Sequence, residues 1–169
     1  MHKVLGFWIA CTATALAAVP SDLDFVPASS LPRALNRYLL SSSGHEAYAL
    51  SDRLNPFYLQ ADFNGDGQMD TAVLVQEKAT GKQGILIAHI GANEHYVLGA
   101  GNATGNGGDD FSWLGAWQVY PQGEVPQSLY LEAAPPTLRG DALLVFKLEA
   151  SSSIIYWTGT DYDWYQQGD

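Results

Sequence analysis

Oxygen-bearing side chains recur at regular spacing between residues 62 and 70. The sequence there is Asp-Phe-Asn-Gly-Asp-Gly-Gln-Met-Asp, which places carboxylate or amide oxygens at Asp62, Asn64, Asp66 and Asp70. A hard cation such as Ca²⁺ takes roughly six to eight oxygen ligands, and a coiled loop turns alternate residues inward when a glycine such as Gly67 permits a sharp turn. The spacing therefore predicts a calcium ion bound in this loop.

Electrostatics favours a bound cation over an ordinary turn. Two carboxylates about 4 Å apart repel by about 4 kcal/mol at an effective dielectric constant of about 20, so converging acids need a cation between them. The alternative is an exposed turn at Asp66-Gly67 whose carboxylates splay into water. Such a turn does not require an oxygen at every one of these positions, and we therefore expect calcium.

The loop differs from an EF-hand, because Val73 stands where a bidentate Glu would be required and because strands flank it. The segment from Ala61 to Leu74 instead resembles the calcium loop of FG-GAP and VCBS-type repeats, which occur in integrin α-chain propellers and many bacterial surface proteins. A propeller needs about four or more repeats, and the chain has one copy, so the propeller and its adhesive function do not carry over. The resemblance implies five ligands. Four bind through their side chains, Asp62, Asn64, Asp66 and Asp70, and Gln68 binds through its main-chain carbonyl.

A second candidate site lies between residues 106 and 117. Trp113 and Trp117 share a face in a helix or a strand, because a separation of four fits both periods. With Asp109 and Asp110 they would form a stacking platform for a sugar or a peptide. The alternative, which we favour, is that one of the acids caps a short helix and both tryptophans fill the core. The preceding glycine-rich stretch, residues 99–110, predicts a long flexible loop.

Length and charge exclude several classes of protein. The 169 residues, 47% of them hydrophobic, suffice for one globular core and are too few for two domains. Eighteen Asp and Glu against eight Lys and Arg give a formal net charge of −10, which disfavours binding to nucleic acid or anionic membranes. The partners expected besides a calcium ion are therefore a protein, including a cationic one, or a glycan.

The first 17 residues are typical of a secretory signal peptide. Lys3 precedes an apolar run that ends in Ala15-Leu16-Ala17, an A-x-A cleavage site. The run is shorter than the roughly 20 residues of a membrane-spanning helix, so no span is expected. Lipoprotein cleavage at Cys11, the single cysteine, would leave too short an apolar segment, and lipidation is disfavoured. We expect a periplasmic or secreted protein.

Hydrophobic periodicity predicts an α+β fold. Residues 18–30 are expected to form an extended leader. A helix is predicted to follow, because Leu31, Leu35, Tyr38 and Leu39 fall on one apolar stripe, and it is predicted to end at residues 41–44. The runs at 71–75 and 85–88 predict central strands joined by a hairpin at 79–84. Further strands are predicted at 57–59, 96–98 and 142–146, and a closing hairpin at 154–157 and 162–165.

The predicted organisation is a signal peptide at 1–17, a leader at 18–30 and a single calcium-binding α+β domain at 31–169. In that domain an N-terminal helix packs on a mainly antiparallel β-sheet, and the calcium loop joins two strands.

No catalytic constellation emerges from the sequence. His45, His89 and His95 have no partner at ligand spacing, and His89 is expected to be a hydrogen-bonded core histidine. Nucleophile elbows and phosphate loops are absent from the sequence. We therefore expect an exported, non-catalytic binding or structural module. The alternative is a periplasmic or secreted hydrolase or carbohydrate-binding protein that uses residues 106–117.

Overall fold

The computed structural model of the protein describes residues 31–39, 42–129 and 134–168. The predicted signal peptide and leader lie outside the described residues. Two short helices come first, α1 (Arg33–Leu39) and α2 (Ser42–Ala47). A 3-10 turn at Gly105–Gly107 lies between the fifth and sixth strands. The strands are β1 (Tyr48–Leu50), β2 (Tyr58–Ala61), β3 (Asp70–Glu77), β4 (Gln83–His89), β5 (Glu94–Gly99), β6 (Ala116–Tyr120), β7 (Ala142–Lys147), β8 (Ser151–Trp157) and β9 (Tyr162–Gly168).

The strands form two antiparallel sheets, called sheet A and sheet B below. In sheet A, β3, β4 and β5 are successive neighbours, while β1 and β2 pair with opposite ends of β3. Sheet B has the order β6-β7-β8-β9. The central position of β3 and β4 and the two predicted hairpins, β3–β4 and β8–β9, are confirmed.

The main core lies between the two sheets. Side chains alternate along β3 and β4, so that Leu74, Ile85 and Ile87 belong to this core while Val75 and Leu86 pack in a separate cluster on the other face of sheet A. Because both faces of these strands are covered, their sequences are apolar at successive positions. Sheet B contributes large side chains to the same core: Trp117, Leu143, Val145, Ile155, Trp157 and Tyr162.

The predicted α+β fold is wrong, because the structure is mainly antiparallel β-sheet. Within the described residues the two α-helices have only 7 and 6 residues, and α2 begins where the sequence predicts the end of a single helix. The stripe of Leu31, Leu35 and Leu39 is buried in the cluster on the outer face of sheet A. Helices shorter than about 12 residues have only marginal stability by themselves, so these two short helices do not form a separate layer. None of the described helices has the length and apolar character needed to cross a membrane.

His89 lies at the end of β4 within an aromatic cluster. Its Nε2 is 2.6 Å from the hydroxyl oxygen of Tyr162, and its ring contacts the rings of Tyr96 and Trp157. The expectation of a hydrogen-bonded core histidine is confirmed. Burial disfavours the charged imidazolium and lowers the pKa of His89, against the opposing effect of negative charges led by Glu94.

The buried His89 predicts a pH-dependent stability. Below about pH 6.5 the His89 side chain of the unfolded chain binds a proton that the buried side chain resists, so the contribution of His89 to the free energy of unfolding should fall as the pH is lowered, by at most about 1.4 kcal/mol per pH unit. Asp70, whose pKa is raised to about 6, contributes with the opposite sign, so the effect of His89 is read from the difference between the wild type and His89→Gln. His89→Gln should reduce that slope. Urea unfolding between about pH 7.5 and pH 5.5 measures it for both proteins. Equal slopes would show that another group carries the dependence.

Candidate metal site

The loop after β2 is fixed to both sheets. Phe63 is fully buried in the main core, whereas its neighbours along the loop are half-buried or exposed. The N–H of Asp141, just before β7 of sheet B, donates to the carbonyl of Asp62 at 2.7 Å. A Cβ on Gly140 would lie 2.4 Å from the same carbonyl oxygen, so the two segments are in direct contact. The loop joins β2 and β3 as predicted.

Asp62 organises the backbone of the loop. Its carboxylate accepts hydrogen bonds from the N–H groups of Gly65, Asp66 and Gly67 at 2.7, 3.0 and 2.8 Å. The φ angles of Gly65 and Gly67, +79° and +83°, curl the chain around this carboxylate in a conformation that glycine adopts readily. The tight coil that the sequence predicts is therefore present.

Asn64 and Asp66 continue the pattern at the next alternate positions. The side-chain oxygen of Asn64 accepts the N–H of Asp66 at 3.0 Å, and Oδ1 of Asp66 accepts the N–H of Gln68 at 2.8 Å. The amide of Asn64 also donates to Oδ2 of Asp66 at 3.2 Å. These oxygens thus form hydrogen bonds within the loop, while Asp66 itself is exposed to water.

Asp70 is fully buried at the start of β3. Its Oδ2 accepts the N–H of Phe63 at 3.1 Å, and its Oδ1 accepts the N–H of Ile90 at 3.0 Å. Burial is the main reason that the pKa of Asp70 is raised to about 6; the charge of Asp66 also raises it, and the two N–H donors lower it. A buried carboxylate of this kind is an anion that a nearby cation would stabilise.

The donor chemistry of the loop fits a hard cation. A carboxylate has roughly four lone-pair sites, so the hydrogen bonds above leave acceptor capacity on all three acids. Gly91, in the turn after β4, lies close to the loop: a Cβ at this position would be 2.4 Å from Oδ2 of Asp66, which is too close. The absence of a side chain at Gly91 therefore leaves space for the carboxylate. In the described ranges, however, no three His, Cys, Asp or Glu side chains are gathered to hold a metal ion. A cation would therefore need the neutral oxygens of Asn64 and Gln68 as well, which Ca²⁺ accepts.

The tryptophans of the second candidate site do not form a platform. Trp117 is buried in the core, and its indole N–H donates to the carbonyl of Pro56 at 2.9 Å. Trp113 is half-buried against Phe111 and Trp164, with ring centroids 5.4 and 6.0 Å apart. Trp113 and Trp117 therefore do not form one exposed face. Trp117 fills the core as the favoured alternative predicts, but the short helix that this alternative also predicts is absent, because residues 109–115 contain a turn and no helix. Sequence reasoning missed Trp164, because only the pairing of distant segments brings it to Trp113.

The two acids of the second candidate site attach the loop to the start of β4 and to the residue before it. Asp110 accepts a hydrogen bond from the N–H of Gln83 at 2.9 Å, and it also accepts the N–H and the hydroxyl of Ser112. The hydrogen bond from Gln83 is the main cause that lowers the pKa of Asp110. The carboxylate of Asp109 forms an ion pair with Lys82. Asp110 therefore has a structural role.

The glycine-rich stretch predicted as flexible is a closed turn. The N–H of Gly101 donates to the carbonyl of Asp109 at 2.8 Å, and the N–H of Thr104 donates to that of Gly108 at 3.0 Å. The 3-10 turn inside it rests on Trp164, since a Cβ on Gly105 would lie 2.2 Å from the Cβ of Trp164.

Comparison with protein-family models, curated proteins and solved structures gives no match for this chain. The loop-level resemblance to FG-GAP and VCBS-type repeats consequently stays a prediction.

Adjacent acids offer a matched test of the second candidate site. Asp110→Ala removes the acceptor of two backbone N–H groups and should lower the free energy of unfolding by about 1–2 kcal/mol. Asp109→Ala removes a partly exposed ion pair and should change it little. Urea unfolding of both variants measures the difference, and equal losses would contradict the structural role of Asp110.

Proposed function

We propose that the protein is an exported, non-catalytic module that binds one structural Ca²⁺ in the loop of residues 62–70. The observation that carries the proposal is the coil in which alternate oxygen-bearing side chains turn back onto the loop. Export rests on the signal-like residues 1–17. The ligands would be Asp62, Asn64, Asp66, Asp70 and the main-chain carbonyl of Gln68.

The charge distribution supports calcium over an ordinary turn. Asp70 is buried, and the neighbouring charge of Asp66 makes its ionised form still less favourable. Without a cation, that repulsion and the loss of hydration both weigh against the folded loop. A divalent ion bound among the same oxygens would attract both carboxylates, and this attraction would outweigh the repulsion between them.

The proposed role of the ion is structural. The loop touches the main core through Phe63 and sheet B through the Asp62–Asp141 hydrogen bond, so holding the loop would also hold the two sheets together. An ion that binds only the folded protein stabilises it by mass action. With few carboxylates in the site, we expect a dissociation constant of about 10⁻⁴–10⁻³ M, the range of extracellular modules.

Calcium should raise the melting temperature of the mature protein, and Asp66→Asn should abolish that increase. The substitution keeps an oxygen for the N–H of Gln68 and removes one charge. At about 10 mM calcium the expected stabilisation of the wild type is about 1.4–2.7 kcal/mol, from the affinity range above. Thermal unfolding with calcium and with a chelator measures it.

Asp52→Asn is the matched control, because it removes the same charge from an exposed position outside the loop. It should leave the calcium response intact. Magnesium should stabilise less, since it demands a compact octahedral shell. A wild-type melt that calcium does not change, or an equal increase in Asp66→Asn, would refute the proposal.

A further inference from the structure

A cavity of about 210 Å³ opens beside the perpendicular pair of Trp113 and Trp164. A second cavity of about 350 Å³ adjoins it and shares three of its lining residues, Asn106, Trp164 and Gln166. Trp164 therefore borders two neighbouring spaces. Neither cavity belongs to the loop of residues 62–70.

The two indoles are fixed in orientation, with their N–H groups already bonded. That of Trp113 donates to the carbonyl of Gly107 at 3.0 Å, and that of Trp164 donates to the side-chain oxygen of Gln166 at 3.1 Å. The ring planes meet at 78°. The turn at Gly105–Gly107 packs against one side of Trp164, so a ligand would meet the part of this indole that borders the two cavities. Because the N–H groups are satisfied internally, that surface is mainly apolar.

Neutral polar groups surround these apolar surfaces. The side-chain oxygen of Gln166 also accepts the hydroxyl of Ser153 at 2.8 Å, and its amide donates one N–H to the carbonyl of Gly168 at 3.1 Å. A primary amide has a second N–H, which remains for a ligand. Asn106, shared by both cavities, is exposed. Fixed polar groups beside an aromatic surface are the usual composition of a small-molecule site.

Charge favours a neutral ligand. Lys147 is the one charged residue among those lining the first cavity, and Asp163 is the one charged residue among those lining the second. The two opposite charges leave no strong field of one sign across the pair of cavities. A strongly anionic or cationic ligand would therefore find no matching cluster of charges.

We propose that the two cavities bind a neutral oligosaccharide, with one pyranose ring stacked on Trp164 and its hydroxyls bonded by Asn106 and Gln166. A pyranose ring presents an apolar C–H face bordered by hydroxyls, which matches an indole surface bordered by amides. A proline-rich peptide also docks on aromatic side chains, and its binding is therefore one of the outcomes of the test below. The site is independent of the proposed calcium loop.

The test is a titration of the wild-type protein with neutral trisaccharides, namely cellotriose, maltotriose, xylotriose, mannotriose and N-acetylated chitotriose, each up to about 10 mM. Indole N–H signals in NMR spectra report binding. At least one sugar should shift the Trp164 and Trp113 signals with a dissociation constant of about 1 mM or below. The signal of Trp117, which is buried and bonded to Pro56, should stay in place.

Variants locate the binding surface. Trp164→Ala should weaken binding about tenfold or more, and Trp164→Phe should retain part of it, because a smaller aromatic face remains. Asn106→Ala, at an exposed position, should weaken binding severalfold without unfolding the protein. The control Gln60→Ala removes an exposed amide from β2 of sheet A and should leave binding unchanged.

Two results would overturn the proposal. One is the absence of a saturable shift with any of the five sugars, including the case in which a polyproline peptide binds instead. The other is sugar binding that persists unchanged in Trp164→Phe and Asn106→Ala. If Trp164→Ala fails to fold, as a thermal melt would reveal, these two variants decide the question.

Discussion

A carboxylate removed from water must be matched by hydrogen bonds, and Asp70 meets this constraint by joining two distant segments. Its two oxygens hold the N–H of Phe63, in the loop after β2, and the N–H of Ile90, directly after β4. One side chain thus fixes both the return of the loop into β3 and the end of the neighbouring strand. The charge of Asp70 also acts on Tyr162 of sheet B. Burial is the main cause that raises the pKa of Tyr162, and the negative charge of Asp70 raises it further.

The loop is therefore part of the sandwich rather than an appendage of sheet A. Phe63 places a large side chain in the core between the sheets, and the carbonyl of Asp62 is held by Asp141 of the segment that leads into sheet B. Closely packed interiors transmit small displacements to their neighbours. Order in the loop and the packing of the two sheets are consequently linked, so a cation bound here would act on the whole sandwich.

Local signals in the sequence were sufficient for the loop and for seven of the nine strands in the described residues. They were insufficient for β1 and β6, which were not predicted, and for the assembly of the sheets. The β3–β4 and β8–β9 hairpins were predictable because apolar runs and turn residues lie close together in the chain. The spacing of Asp62, Asn64 and Asp66 located the coil for the same reason. The second sheet, the burial of Trp117 and the contact of Trp164 with Trp113 depend on which distant strands pack together, and periodicity along the chain does not encode that. The leucine stripe at residues 31–39 correctly marked a buried face but said nothing about the length of the helix.

Gly105 and Gly107 show why glycine content alone misleads about flexibility. A Cβ on Gly107 would lie 2.6 Å from Cζ3 of Trp164, and one on Gly105 would be closer still to the same residue, so any larger side chain would push the turn off the indole. The glycines allow the backbone to approach the ring, and the carbonyl of Gly107 then holds the indole N–H of Trp113. Both rings are thereby oriented before any ligand arrives. Because less conformational entropy is lost when a preformed surface binds, this packing favours recognition by ring stacking over recognition by a loop that must first become ordered.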